Sequence, residues 1–366
     1  MLYFFELIQV ALGNRISLSE CPTVIEWQTL YLEAEKQAMV GIMLSGIEKL
    51  PINQRPPQDL LLQWIGVGEM IRRRNALMDV AVVSLFMSLK AENVRIFVFK
   101  GQTLAPLYPD SGLRQSGDID FYCYHEDWDK AMAWLINNWK VDPYELSTQK
   151  DVEFVYNDVA YEMHRQLTLF TYPKHERYWK NIVMPEILAH PCSVAINGCN
   201  VPTLSPVYNV LFVFVHIFHH LISDGIGLRQ FIDWMLLIES LKWDKKKTDI
   251  LEKHLQGLGL KKAFSGLGAI MTDYLGLSVD NFPLSISDTD HKRAPMLMNN
   301  ILQMGNFGHN QQYSHSSGVV HGMQHLGRIV KQASLFGHYA PAETWWKIPF
   351  MIKWWGKKLW LMTTRK

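Results

Sequence analysis

Strand-forming patterns in this chain are concentrated between residues 94 and 164, and this distribution constrains the fold more than any other feature. Residues 94–99 and 119–124 are short apolar runs with polar borders, which is typical of buried strands. Residues 128–139 have helical spacing, and residues 152–164 have the pattern of a hairpin around an Asn-Asp turn. The interval therefore predicts a small mixed sheet with an intervening helix.

The rest of the chain has helical periodicity. Ser205 followed by Pro206 is a typical N-cap and first helical position, and it marks the return to helix after the sheet. Helices are predicted at 26–50, 58–92, 128–139, 206–223, 227–242 and 246–277.

We therefore predict an α+β fold in three parts. An N-terminal helical region covers residues 1–92, an α/β core covers 93–204, and a C-terminal helical domain covers 205–366. Length alone, at roughly 150 residues per domain, would give about two domains for 366 residues.

Composition excludes two classes of protein. Hydrophobic residues make up 48% of the chain, enough to form a sizeable core, so a disordered chain is excluded. Lys and Arg total 36 against 35 for Asp and Glu, which gives a formal net charge of +1. This balance argues against a polycation that neutralises many phosphates, and we find no strong nucleic-acid signal.

The sequence predicts a cytoplasmic protein. Its four cysteines form no Cys-x-x-Cys pair, which favours reduced thiols. The N-terminus lacks a basic region and a small-residue cleavage site, and no run of 18 apolar residues occurs.

Two aspartates on the second predicted strand form the most informative motif. Asp118 and Asp120 are two residues apart, so both carboxylates project from one face of the strand. Carboxylates this close repel each other unless a cation lies between them. An oxygen-ligated divalent ion, Mg²⁺ or Mn²⁺, is the cofactor that this pair predicts, whereas a bare Asp-x-Asp is also compatible with two solvent-facing acids.

A glycine turn precedes these aspartates. Lys100 and Gly101 follow the first strand and lead directly into a helical pattern, where backbone amides and the lysine charge favour an anion. Arg114 and Ser116 then lead into the second strand. A phosphate-binding turn beside a metal-binding pair is what phosphoryl or nucleotidyl transfer requires.

This order of residues resembles the nucleotidyltransferase superfamily with the polymerase-β-type core. It is more closely similar to an uncharacterised nucleotidyltransferase family common in bacteria, through Lys-Gly, Leu-Ala, Leu-Tyr, Arg and Gly-Asp-Ile-Asp, over roughly residues 25–350. Weaker likeness extends to LicD-type phosphocholine transferases and AbiEii-type toxins. The turn glycine is usually followed by Ser or Gly in the superfamily, whereas Gln102 and Thr103 follow it here.

The resemblance implies a site residue set. The predicted nucleotide- and phosphate-binding residues are Lys100, Gly101, Gln102, Thr103, Arg114, Ser116 and Arg229. Enzymes of this superfamily also need a third carboxylate on a neighbouring strand, and the candidates are Glu153, Asp158 and Glu162. The resemblance favours Glu162, because the family's motif on that strand is Glu-x-His, which here ends in His164.

The implied reaction is transfer of a nucleotide from an NTP to an acceptor hydroxyl. Asp118, Asp120 and Glu162 are the predicted catalytic residues and the predicted Mg²⁺ or Mn²⁺ ligands. Glu162 also accepts the acceptor proton. His164 is predicted to contact the metal or the acceptor, or else to be a hydrogen-bonded strand histidine.

The second helical region supplies candidates for an acceptor pocket. His216 and His220 are four residues apart and share a helix face, which predicts either a pocket wall or a packed interior cluster. Arg229 and Asp233 are also four apart and predict an ion pair along their helix. The family has a similar Arg-x-x-x-Asp, which implies that Arg229 faces a phosphate and Asp233 orients it.

Two polar or amphipathic segments carry further expectations. The loop at 305–318 is predicted to cover the site or to be an exposed connection. The C-terminus alternates tryptophan and lysine, which predicts weak peripheral contact with the inner membrane surface or packing on the helical domain. These residues are Trp345, Trp346, Lys347, Lys353, Trp354, Trp355, Lys357, Lys358 and Trp360.

Three function classes remain open from the sequence. The first is an enzyme that acts on a small molecule, sugar or polymer end, including LicD-like modification of a surface glycan. The second is a non-catalytic binding or antitoxin-type protein with the same fold. The third is a toxin-like transferase acting on tRNA. The intact Asp-x-Asp with a third acid favours the enzyme.

Overall fold

A computed structural model describes residues 2–142, 151–223, 225–305 and 318–351. Its helices are α1 (Leu2–Leu12), α2 (Val24–Lys36), α3 (Val40–Lys49), α4 (Gln58–Ala91), α5 (Gly101–Leu104), α6 (Trp128–Trp139), α7 (Pro173–Tyr178), α8 (Met184–Ala189), α9 (Pro206–Leu221), α10 (Leu228–Glu239), α11 (Lys245–Gly257), α12 (Lys261–Ile270), α13 (Asp288–Met304) and α14 (Gly318–Phe336). Its strands are β1 (Ile96–Phe99), β2 (Ile119–Cys123), β3 (Asp151–Tyr156), β4 (Val159–His164), β5 (Cys192–Ile196) and β6 (Cys199–Thr203).

The predicted mixed sheet is confirmed. Its strand order is β1-β2-β4-β3, with β2 and β4 parallel and the other neighbours antiparallel. The hairpin β3–β4 turns at Asn157 and Asp158, whose φ angles of 48° and 61° lie in the left-handed region. Asn and Asp tolerate this region better than most residues, so the turn chemistry sets the hairpin register.

A second hairpin was not predicted as a pair of strands. β5 and β6 are antiparallel around Asn197 and Gly198, both with positive φ. The flanking strands contain Cys, Ser, Asn and Pro rather than a run of β-branched residues, so the pattern signal is weak. Ile196 and Val201 join the apolar core beneath the main sheet.

Two predicted helices are each split in the structure. The helix expected at 26–50 is divided into α2 and α3, because Ala38 has a φ of 55°. The helix expected at 246–277 is divided into α11 and α12 at Gly259, which has a φ of 63°. A Cβ at Gly259 would lie 3.0 Å from His175 Nε2, so the break brings the backbone close to a buried side chain.

Two apolar cores organise the described residues. The first extends from Phe4 on α1 to Ala340 and includes α9, α10 and α12, so helices from both ends of the chain share it. The second lies between one face of the main sheet and helices α4 and α6. The other face of the sheet is turned toward α9, where Phe99 contacts Phe212, and carries the polar residues described below. The division at residues 92 and 204 stays a prediction.

All four cysteines are free thiols. Within the described part of the chain, no helix combines the length and the apolar composition that crossing a bilayer requires.

Candidate active site

A row of side chains crosses the sheet on one face. The strand registers place Phe99, Asp120, Glu162 and Glu153 side by side on β1, β2, β4 and β3. Residues two positions further along a strand project from the same face, so His164 lies beside Glu162. The parallel pairing of β2 with β4 is therefore what brings the second aspartate of the Asp-x-Asp motif next to Glu162.

Asp120 has two partners that converge on one of its carboxylate oxygens. Lys100 Nζ donates to its Oδ1 at 3.2 Å, and His164 Nε2 lies 3.0 Å from the same oxygen. Burial alone would raise the pKa of Asp120, but the Lys100 ammonium and the hydrogen bond from His164 outweigh it and hold the pKa below its ordinary value. Because an ionised carboxylate only accepts, His164 Nε2 carries the proton in this pair.

Asp118 lies just before β2 and is exposed to solvent. The negative charge of Asp120 raises its pKa, with a further contribution from desolvation. The charge of Asp120 therefore disfavours ionisation of Asp118. This is the electrostatic situation expected of a pair arranged to share a cation.

Three side chains supply converging ligand atoms. One atom each of Asp120, Glu162 and His164 lies within 4.8 Å of the other two, a spacing suited to one metal ion. His164 Nε2 is 3.3 Å from Glu162 Oε1. Of the other predicted third acids, Glu153 is exposed one strand further away, and Asp158 lies in the hairpin turn, where its carbonyl accepts from Arg74.

The turn before α5 holds an unusual backbone. Lys100 has φ 56° and ψ −150°, a region that residues with a Cβ rarely adopt, at a cost of about 1–3 kcal/mol. Gly101 follows with φ 39°, and a Cβ there would lie 3.4 Å from the carbonyl oxygen of Asp118. This turn directs the Lys100 ammonium onto Asp120.

Two predicted phosphate-binding side chains point elsewhere. Gln102 is buried and donates through Nε2 to Asp79 Oδ1 at 2.6 Å, on the α4 side of the turn. Thr103 Oγ1 donates to the carbonyl oxygen of Lys100 at 2.7 Å. Neither residue lines the cavity described below, because the short helix α5 directs both side chains into the protein interior. Their predicted phosphate contact through side chains has no support in this geometry.

Asp233 pairs with Arg114. Arg114 donates from Nε to Oδ1 at 2.8 Å and from Nη2 to Oδ2 at 2.7 Å, a two-pronged ion pair in which both side chains are buried. The Tyr108 hydroxyl donates to the same carboxylate at 2.7 Å, and Arg114 Nη1 donates to Ser116 Oγ at 2.9 Å. The predicted pairing of Arg229 with Asp233 along α10 is not among the ion pairs of the described residues, because Arg114 takes both carboxylate oxygens.

Arg229 is instead turned toward the loop before β2. It donates to the carbonyl oxygen of Gln115 and is half-buried at the cavity wall. Its Nε has no hydrogen-bond partner among the described residues. Burial lowers the pKa of Arg229, and the positive charge of Arg114 lowers it further. A guanidinium in this position favours an incoming anion.

The two predicted pocket histidines are together on α9. The ring centroids of His216 and His220 are 4.4 Å apart, and both residues line the cavity. His219 is turned to the other side, where its Nδ1 lies 3.0 Å from Thr168 Oγ1. Helical spacing thus separates the three histidines into a cavity pair and a packing residue.

These side chains surround one cavity of about 580 Å³. The residues predicted from the sequence as site residues that do line this cavity are Lys100, Gly101, Arg114, Ser116, Asp118, Asp120, Glu162, His216, His220, Arg229 and Asp233. The sequence analysis missed three further lining residues, Ala38, Gln115 and Gln230, because no local pattern marks them. It also missed Tyr108, which supports the cavity wall through its hydrogen bond to Asp233. Residues 306–317 of the predicted covering loop lie outside the described residues.

Comparison with known proteins defines the class. Residues 23–276, more than half of the chain, match the model of an uncharacterised nucleotidyltransferase family. The chain therefore belongs to this family.

Among solved structures, an antigenic nucleotidyltransferase-like protein from Paracoccidioides brasiliensis aligns with 55% of this chain and 93% of its own. Its TM-score is 0.33 at 14% identity. No curated protein matches the chain.

Proposed function

We propose that this protein is a metal-dependent nucleotidyltransferase of the polymerase-β type that transfers a nucleotide from an NTP to an acceptor hydroxyl. One observation carries the proposal. Asp118, Asp120 and Glu162 line the same cavity as Lys100 and Arg229, so acidic and basic groups face a common space. Phosphate transfer chemistry needs both, because carboxylates hold divalent ions and cations hold phosphate oxygens.

The donor set fits a divalent metal. Carboxylate oxygens from Asp120 and Glu162 converge with one imidazole nitrogen, and Asp118 adds a further carboxylate at the cavity wall. Oxygen donors of this kind suit Mg²⁺ or Mn²⁺, and His164 would add its nitrogen, which is compatible with Mn²⁺, only after losing the Nε2 proton that it donates to Asp120. When bound, the ion neutralises phosphate charge and acidifies the acceptor hydroxyl.

The protein's own groups divide the remaining work. Glu162 accepts the proton of the acceptor hydroxyl, since it lies at the cavity wall beside Asp120. Lys100 and Arg229 hold phosphate oxygens and offset the charge that develops on the leaving pyrophosphate. Arg114 uses three N–H groups on Asp233 and Ser116, so it positions the loop that carries Asp118.

The acceptor side of the cavity is formed by the α9 histidines. His216 and His220 lie on a different element from the carboxylates and line the same cavity. Imidazoles can hydrogen-bond hydroxyl groups as donor or acceptor, so this wall suits a polar acceptor such as a sugar or a polymer end.

Labelled nucleotides test the proposal. The protein is incubated with Mg²⁺, cell extract and each NTP labelled at the α-phosphate, and in parallel with the γ-phosphate label. We expect an α-labelled product with release of pyrophosphate, and no product with the Asp118→Asn/Asp120→Asn variant. Transfer of the γ label alone would replace the proposal with phosphotransfer. No labelled product from any NTP with either Mg²⁺ or Mn²⁺ would favour the non-catalytic class.

Glu162→Gln should lower the rate of the chemical step by about 10²-fold or more, with little change in NTP affinity, because the carboxylate serves the acceptor hydroxyl. Glu153→Gln is the matched control. It removes the neighbouring carboxylate in the same register row, but Glu153 is exposed and outside the cavity lining. Single-turnover rates and NTP titration separate the two effects. A larger rate loss for Glu153→Gln would reassign the third acid.

We also propose a cytoplasmic protein with weak membrane contact through its C-terminus. In the described segment 341–351, Trp345 and Trp346 are 48% and 46% exposed, whereas Glu343 is buried and accepts from the backbone of Thr171 at 2.6 Å. A truncation must therefore retain Glu343. We expect a chain ending at Met351 to co-sediment less than the full chain with anionic vesicles at low salt, since each basic residue near the surface contributes about 1 kcal/mol to membrane binding. Equal recovery of the full and the shortened chain would contradict membrane contact.

A further inference from the structure

We propose that two copies of this chain associate through the outward face of α4, antiparallel and related by a two-fold axis at the level of Ile71. This face is a stripe with the alternating spacing of four and three residues that is typical of helix–helix seams. The stripe, called here the α4 seam, consists of Leu62, Gly66, Glu69, Arg73, Ala76 and Val80.

The α4 seam lies opposite the buried face of the same helix. Trp64, Met78 and Leu85 are fully buried on the inner face, whereas Leu62 and Val80 on the seam are 59% and 61% exposed. Large apolar side chains also border the seam, at Ile65, Met70 and Leu77, and all are exposed. A solvent face normally carries polar residues, so apolar residues on both faces indicate that the outer one is covered.

Small residues allow close approach along the seam. Gly66 and Ala76 are exposed, and a Cβ at Gly66 would have no atom within 4 Å. Under a two-fold at residue 71, Gly66 of one copy faces Ala76 of the other, and Leu62 faces Val80. Small residues thus meet small residues and large apolar residues meet large ones, so the seam is complementary to itself in size.

Glu69 and Arg73, at the centre of the seam, favour a second copy of this chain as the binding partner. The same axis pairs Glu69 with Arg73 of a second copy, and Arg73 with Glu69, so each seam supplies one acid and one base in the positions that its copy requires. Glu69 is half exposed and bonds Arg72 within its own chain. Arg73 is exposed and has no ion pair among the described residues, unlike Arg72, which also binds Asp110. A parallel arrangement would oppose like charges, and a lipid surface would leave both charges in apolar surroundings.

The size of the seam predicts a reversible dimer. Eighteen residue steps at about 1.5 Å per residue give a contact length of about 27 Å. A single helix pair of this length is at the lower end of specific interfaces, so we expect a micromolar dissociation constant. This inference does not depend on the proposed function.

Charge exchange tests the dimer on the full chain. Sedimentation velocity and light scattering between about 1 and 100 µM should give twice the monomer mass for the wild-type chain at the high end. Glu69→Arg and Arg73→Glu should each remain monomeric, because each variant opposes like charges. An equimolar mixture of the two variants should again form a dimer, since every Arg then faces a Glu. The double variant should also dimerise.

Two further observations keep the test decisive if a charge variant fails to fold. Gly66→Gln places a long polar side chain into open space in the monomer and replaces a helix-interior glycine by a better helix former, so its melting temperature should be unchanged or higher while its dimer is lost. Asp249→Gln on the distant helix α11 should leave the dimer unaffected. A wild-type chain that stays monomeric at 100 µM, or single variants that dimerise as well as the wild type, would overturn the proposal.

Discussion

Asp120→Asn is expected to abolish the proposed nucleotide transfer and to destabilise the fold. Asp120 is buried, and its carboxylate balances the Lys100 ammonium while accepting from His164. Its lowered pKa means that the ionised form is favoured in the folded state, so the charge contributes to stability at neutral pH. Removing it leaves the half-buried Lys100 ammonium without its carboxylate partner. We expect a loss of about 3 kcal/mol together with the loss of metal-dependent activity.

Asp118→Asn should reduce activity by at least about 10²-fold without lowering stability. The raised pKa of Asp118 means that its ionised form is disfavoured by folding, chiefly by the charge of Asp120. Neutralising it removes that repulsion, so the melting temperature should be unchanged or higher. Under the proposed function, Asp118 and Asp120 share a catalytic role, but we expect them to differ in their effect on the fold.

Initial rates and thermal melts of the two single variants check this pair of expectations. Asp249→Asn, which changes an exposed acid on α11 that does not line the cavity, controls for general charge effects. Full activity in either aspartate variant would show that the site assignment is wrong. A lower melting temperature for Asp118→Asn than for Asp120→Asn would contradict the electrostatic account.

The second large effect is a loss of stability expected for Asp233→Ala. This substitution should lower the free energy of unfolding by about 3–5 kcal/mol, because Arg114 is left buried without a counter-charge and Tyr108 without its acceptor. Arg114→Met should lower the free energy of unfolding by a smaller amount. It leaves Asp233 with the Tyr108 hydroxyl and with Arg229 one helical turn away, whereas Asp233→Ala leaves two arginines that already repel each other.

Urea unfolding of the two single variants and of Arg114→Met/Asp233→Leu measures these costs. The double variant should be more stable than Asp233→Ala, since an apolar pair avoids the uncompensated charge. Lys180→Met is the control. It breaks an exposed pair with Glu176 and should change stability by less than about 0.5 kcal/mol. Equal losses for the buried and the exposed pair would refute the argument.

The local parts of the site were predictable from the sequence. Strand alternation places Asp118 and Asp120 on one face, and the Asn157-Asp158 turn sets the hairpin that carries Glu162. The favoured third acid lies next to Asp120 in the strand register. Each of these inferences depends on residues close in sequence and on a periodicity that the backbone enforces.

Contacts between distant segments were not predictable in the same way. Arg114 and Asp233 are 119 residues apart, and no local pattern marks one as the partner of the other. Helical spacing instead suggested Arg229, which is nearer in sequence but meets Gln115. The break at Ala38 was also missed, because alanine favours helix. In the structure Ala38 closes α2 in the left-handed conformation, and the Met39 and Ala38 amides donate to the carbonyl oxygens of Ala34 and Glu35, as in a Schellman motif.

The contacts between α10 and the loop before β2 determine which segments of such a protein can be exchanged between relatives. Two arginine contacts, Arg114 to Asp233 and Arg229 to the Gln115 carbonyl, join the strand-bearing segment to a helix more than a hundred residues later. A graft of residues 93–204 alone into another scaffold would lose both contacts and one wall of the cavity. Exchange between relatives should therefore succeed only when the sheet and α10 are inherited together as one unit.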